Sequence, residues 1–466
     1  MAICNALLVV ILLPITVAIG AYYQLPLIPY LPILAIVTVT ILVAMGKLKY
    51  IPLYIFAISL SLLWQTSMLG ISVVGSDITS EYNLSVVIME DGWDWTYLYW
   101  THSGSSIVIG LLAPWLGNLM DLAMVYKLVF PFIFAFVPVI LFYAFKKMFG
   151  ETRAFFATLF FMIVPVFNLE IVAIAKSMVG EFFLALMILT MVSDWRTRWK
   201  IPAMFVFLCL ATLCHYTVGV LAIGLLVGCL IVRIVTSRMK WSLFSNRKVP
   251  LLAMTIVVVL SAGLWYGYYS KANGGYVMSI ITRVGGAYAL KAETLVQETI
   301  EELGKTEEAV ELVEPLKIVE PTEPEEPTGV IEPTEPEEPT ETHYMQRQSV
   351  FIKAAIGLDF FEVSTAGKVF RVIQFITQSM IVLGCFWLLF KHRRYKFTAE
   401  FIGCIVASFV LLLCCIFIFR LSALINMTRF YHTSLFFIAP MFVLGVDALG
   451  SGLTNVVKMA TRKKKE

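Results

Sequence analysis

Residues 50–82 read YIPLYIFAISLSLLWQTSMLGISVVGSDITSEY. The run 50–72 is long and apolar enough for a membrane-spanning helix, which needs about 20 such residues. Directly after it comes Gly75-Ser76-Asp77-Ile78-Thr79-Ser80-Glu81-Tyr82, with two carboxylates. Charge is costly near lipid, so an acidic pair at the mouth of a span marks a polar site there. At i and i+4 on a helix, Asp77 and Glu81 share one face and can serve one reacting group. The stretch predicts a spanning helix followed by an acidic helix at the membrane surface.

The rest of the chain fits that reading. It has 466 residues, 59% of them hydrophobic and 14% charged, with a mean hydropathy of +0.84. A soluble domain is about half apolar and a quarter charged, so this composition predicts an all-α, polytopic membrane protein. About 12 transmembrane helices are expected (range 11–13), at 2–20, 26–46, 50–72, 127–147, 154–170, 177–194, 201–214, 217–235, 249–269, 370–390, 398–419 and 432–450. The first run lacks a basic leader and a clear small-residue cleavage site, so it reads as a retained span. The eight cysteines all fall in apolar stretches and read as small buried hydrophobes.

Basic residues cluster on every second connection: Lys47/Lys49, Lys146/Lys147/Arg153, Arg196/Arg198/Lys200, Arg233–Lys248, Lys391–Lys396 and Arg462–Lys465. Basic loops stay in the cytoplasm. The expected protein is therefore a multi-pass cell-membrane protein with both termini cytoplasmic. For 201–235, with basic clusters on both sides, this demands an even number of crossings. A tight hairpin at His215-Tyr216 meets the demand, as does a re-entrant segment.

The same rule places residues 73–126, 168–176, 270–369 and 420–432 outside. Amphipathic interfacial helices are expected in the first of these loops and in the large one. Three regions follow: an N-terminal transmembrane module, 1–269; the outer loop 270–369; and a C-terminal module, 370–466, with a basic tail. Within the large loop, an acidic tract at about 300–342 repeats Glu320–Thr328 at Glu332–Thr340. Such Pro- and Glu-rich sequence cannot bury a core and reads as an extended spacer.

The candidate site residues collect on the outer side. Asp77 and Glu81 are the candidate acid–base pair, although Asp77 also suits a helix N-cap. Glu170, in the second outer turn, could join Asp77 around a divalent cation such as Mg or Mn, or pair with Lys176. Glu181, just inside the next span, should face the bundle or a polar cavity. His215, Arg420, Arg429 and His432 are candidates for holding a phosphate. For the two arginines, snorkelling to lipid headgroups is the plain alternative. No P-loop, nucleophile elbow or GxGxxG motif is present. An enzyme of this kind would take an activated substrate from the membrane, and nucleic acid is not an expected partner.

With these residues in place, the chain resembles GT-C class glycosyltransferases, and more narrowly a family of archaeal multi-spanning membrane proteins of that architecture. The resemblance rests on Asp77 and Glu81 in their Gly-Ser-Asp-Ile-Thr-Ser-Glu-Tyr context, Gly92-Trp93-Asp94-Trp95, His215-Tyr216, Ala355-Ile356-Gly357-Leu358-Asp359-Phe360 and Arg429-Phe430-Tyr431-His432. It implies transfer of a sugar from a polyprenyl (dolichyl) phosphate donor to a glycan, lipid or protein acceptor on the outer face. Asp77 would then be base or metal ligand, with Glu81 supporting it. Arg429, with His215 or Arg420, would hold the lipid phosphate. The chain departs from better-known members in its D-x-x-x-E spacing and in two extra spans before the acidic loop. Two other classes stay open: a transporter or flippase of a polar or lipid-linked solute, and a non-catalytic scaffold displaying the acidic tract.

Overall fold

The computed structural model describes residues 2–93, 104–238, 250–269, 357–391, 394–417 and 427–463. Among these residues every regular element is helical. Residues Met1–Gly274 and Asp359–Glu466 form one compact unit, and Gly275–Leu358 a second; all that follows concerns the first.

The chain runs through α1 (Ala2–Tyr22) and α2 (Leu31–Ala44) into α3 (Ile51–Ser67). A polar helix, α4 (Ser76–Asp91), follows. Next are α5 (Val108–Gly117) and α6 (Leu122–Phe149). After α7 (Glu151–Ile163) come a bend, α8 (Ala175–Val192), α9 (Thr197–Cys214) and α10 (Tyr216–Arg238). The last elements are α11 (Leu251–Ala262), α12 (Thr365–Lys391), α13 (Ala399–Phe417) and α14 (Met427–Lys463).

Each of the twelve apolar runs coincides with a helix. Seven of these helices are long and apolar enough to cross a membrane, or eight if α7 and the segment Val166–Ala173, bent by 58° from it, count as one span. The others are shorter, so twelve crossings exceed what helix length alone supports. The chain is nonetheless a polytopic helical membrane protein.

α8 is the central helix: 78% of its apolar window is buried, against 17% for α12. The helices approach closely where glycines remove side-chain bulk, as small residues do between membrane helices. Gly384 of α12 lies against the Met441 carbonyl of α14, and Gly445 of α14 against the Met380 carbonyl. A Cβ on Gly219 would stand 2.7 Å from Thr212, seven residues earlier. An unbroken helix separates such residues by about 10 Å. The chain therefore reverses at His215, which has extended backbone between α9 and α10, as a hairpin requires.

Contacts define two ends of the bundle. At one, Lys147 of α6 pairs with Asp194 after α8 at 2.8 Å, and Arg153 of α7 pairs with Asp447 of α14. There too the Lys396 N–H donates to the Met148 carbonyl at 2.9 Å. Basic clusters that are far apart in sequence thus share this end, as the alternation of charge requires. At the other end, α4 meets the start of α8, and the His215 turn meets Ser106 through the contacts described next.

Candidate functional site

The polar end is organised by the first two turns of α8. Glu81, on α4, has no exposed surface. Its Oε2 accepts the Ala175 N–H at 2.8 Å, and Oε1 lies 3.3 Å from Lys176 Nζ. A carboxylate is favoured at a helix N-terminus, where backbone N–H groups lack partners and the dipole is positive. Glu81 therefore caps a different helix from its own. Burial pushes its carboxyl above the ordinary range, opposed by the Lys176 ammonium and the Ala175 N–H, while Asp77 adds to the rise.

The Glu81 backbone is fixed as well. Tyr126 donates to the Glu81 carbonyl at 3.0 Å and shares a 2.7 Å hydrogen bond with Ser85, which donates to the Ile109 carbonyl at 3.1 Å. One turn before Glu81, Asp77 is half-buried. It occupies the first turn of α4 but does not cap it: Gly75 is the N-cap, at φ 143°. A Cβ on Gly75 would come within 2.9 Å of Ile78 and 3.3 Å of Ala173. Glycine is thus needed there twice, for the backbone conformation and for the approach of α4 to the start of α8.

Ser177, next along α8, shares a 2.8 Å hydrogen bond with His215 Nδ1. His215, a candidate for holding a phosphate, is 2% exposed. The turn is buried because Gly180 of α8 lies under it; a Cβ there would be 3.3 Å from that of His215. Ser106 donates to the Cys214 carbonyl at 2.5 Å, and Tyr266 donates to the Thr212 and Leu213 carbonyls at 2.9 and 3.0 Å. Trp265 reaches the Ser105 carbonyl at 2.7 Å. The Ser106 and Tyr266 bonds satisfy carbonyls that end α9.

Glu181, one turn after Ser177, faces the bundle as its cost near lipid demands. Its Oε2 lies 3.0 Å from His432 Nδ1, and Thr433 donates to Oε1 at 3.4 Å. His432 has no exposed surface, and its ring packs against Phe161 at 4.8 Å and Phe134 at 6.0 Å between centroids. The His432 imidazole therefore meets Glu181 and aromatic rings.

One helix thus collects Glu81, His215 and His432 from three distant segments. Glu170 is half-buried on the π-helical turn Val166–Glu170, and Lys176 pairs with Glu81 rather than with it. Among the described residues no group of three or more His, Cys, Asp or Glu gathers as a metal site would. Arg429 lies in the first turn of α14, one turn before His432. Arg420, Asp94 and Trp95 lie outside the described residues.

Two features escaped sequence reasoning. Lys127, inside an apolar run, is buried and donates to the carbonyls of Gly70, Ile71 and Ser72 at 2.5, 3.3 and 3.3 Å. It ties α6 to the segment between α3 and α4. A lone lysine within a span was the available signal. The four π-helical stretches among the described residues, Val108–Leu112, Val125–Val129, Val166–Glu170 and Gly263–Tyr269, also supply contacts at this end. Such bulges frequent functional sites, but no sequence pattern announces them.

Residues 355–466, covering α12 to α14, match the model of a family described as "Predicted membrane protein (DUF2206)". No curated protein and no solved structure matches the chain.

Proposed function

We propose that the protein is a GT-C-like glycosyltransferase that takes a sugar from a polyprenyl-phosphate donor and transfers it to a glycan, lipid or protein acceptor at the outer membrane face. The observation that carries this reading is the fastening of the acidic helix α4 onto α8, at the end of the bundle where α14 begins with Arg429. Asp77 is half-buried and one turn from the Glu81 fastening, which suits a base that must reach an acceptor hydroxyl. Arg429 supplies positive charge for the departing lipid phosphate. Glu81, His215 and His432 are buried and act as positioning residues.

The test is transfer from a labelled polyprenyl-phosphate sugar by the purified protein. Asp77→Asn should lower turnover by about 100-fold or more with the melting temperature unchanged. Undiminished transfer by the variant removes Asp77 from the mechanism.

A second reading, a transporter of a polar or lipid-linked solute, draws support from the Glu181–His432 pair, whose members lie on two candidate spans. Ionisable pairs inside a membrane mark solute or proton paths. In that case Glu181→Gln abolishes vesicle uptake while Asp77→Asn does not.

A further inference from the structure

A different site lies at the charged end of the bundle, where α8 gives way to α9. A groove of about 680 Å³ is lined there by Trp195, Arg196, Trp199, Ala203 and Val206 among others. Its origin lies in the sequence. Trp199, Ala203 and Val206 recur at helical spacing on one face of α9, opposite the buried Lys200, Met204 and Leu208. Short Pro202 and Ala203 make the floor between bulkier walls. The volume falls in the range of about 300–1,000 Å³ typical of ligand sites.

The polar rim is cationic and available. Asp194 is engaged by Lys147 at 2.8 Å. Lys200 turns inward to the Met191 and Ser193 carbonyls at 2.6 and 3.0 Å. Arg196 and Arg198 are exposed, and neither has an acidic partner among the described residues. The Arg198 guanidinium lies over the Trp199 ring, 5.6 Å from its centroid. Tryptophan beside arginine is the composition of a membrane interface, and the positive end of the α9 dipole lies at the same place.

We propose that this groove binds an anionic phospholipid, with a hydrocarbon chain along Ala203 and Val206 and its phosphate at Arg196 and Arg198. Arginine pairs with phosphate oxygens through paired N–H donors. The net negative headgroup is what the two unneutralised guanidinium groups select over a zwitterionic one. The proposal is independent of the glycosyltransferase reading, because it concerns the opposite end of the bundle.

The test uses the purified full chain in micelles titrated with phosphatidylglycerol or phosphatidylcholine carrying brominated chains, which quench tryptophan on contact. Phosphatidylglycerol should be preferred by roughly tenfold. The preference should disappear in Trp195→Phe/Trp199→Phe, which removes the reporters, and in Arg196→Gln/Arg198→Gln, which removes the charge. Ala203→Trp, which fills the floor, should weaken quenching by both lipids at Trp195. All five positions are on or beside the surface, and unchanged helix content in each variant checks the fold. Equal quenching of the wild type by both lipids overturns the proposal. So does a preference that survives the double arginine substitution.

Discussion

The two ends of the helical bundle use the same residue types in opposite ways. At the charged end, Lys146–Glu151 and Lys147–Asp194 are open pairs, with side-chain exposures of 43% and 49%, and 39% and 74%. At the other end, Lys176–Glu81 and His432–Glu181 have exposures of 8% and 0%, and 0% and 2%. Exposed pairs gain little, because water screens them and long side chains lose freedom. Buried pairs owe a large desolvation cost, and removing one partner leaves the other uncompensated. The first end carries exposed pairs that cost little to lose; the second is where precise placement is maintained at a cost in stability. That asymmetry is why the acidic helix α4 is fastened and not merely adjacent.

The sharpest way to break this contrast is one lysine from each end. Lys176→Ala should destabilise the protein by about 3–5 kcal/mol, because Glu81 stays buried on the α8 N-terminus. Lys147→Ala should cost under about 1 kcal/mol. Thermal unfolding of both variants in one detergent measures the difference. Equal losses would mean that burial does not distinguish the ends.

A smaller effect probes the middle of the polar end. Ser177→Ala removes a hydrogen-bond partner of buried His215 and should cost about 1–3 kcal/mol. Glu151→Ala, at the exposed pair, should stay under about 1 kcal/mol. Proteolysis near residues 214–216 should accelerate in the first variant only, since that bond holds the α9–α10 turn to α8.

The apolar runs located all seven helices that are long and apolar enough to cross a membrane among the described residues, because burial in lipid demands such length and hydrophobicity; the other five runs gave shorter helices. The alternation of basic clusters anticipated that the connections around Lys147, Asp194 and Lys396 share an end, and the cost of a carboxylate inside a span anticipated that Glu181 faces inward. Pairings were not legible. Glu81 and Lys176 stand far apart in sequence, and nothing local says that one helix's carboxylate caps another helix. His215 was readable as a turn, but its burial depends on Gly180, whose role exists only once α8 and the turn pack together. Asp77 looked like a cap because aspartate favours that position, yet the approach to Ala173 leaves room only for Gly75. Local preference lost to tertiary contact in each case.

The smallest prediction concerns protons at the fastening itself. Burial raises the Glu81 carboxyl above its ordinary value of 4.5, more than Lys176 and the Ala175 N–H lower it. Between that value and the raised one, the native state holds a proton that the unfolded chain has lost. Stability therefore falls with rising pH across this window, by at most about 1.4 kcal/mol per unit. Glu81→Gln carries no such titration. The stability of the wild type relative to Glu81→Gln should be greatest below pH 4.5, decline as pH rises, and then level off. Denaturation of both proteins across that range isolates the one group, because all other titrating residues are shared. A relative stability that instead rises with pH would mean that Lys176 and the helix dipole outweigh burial, and that Glu81 is held as a carboxylate throughout.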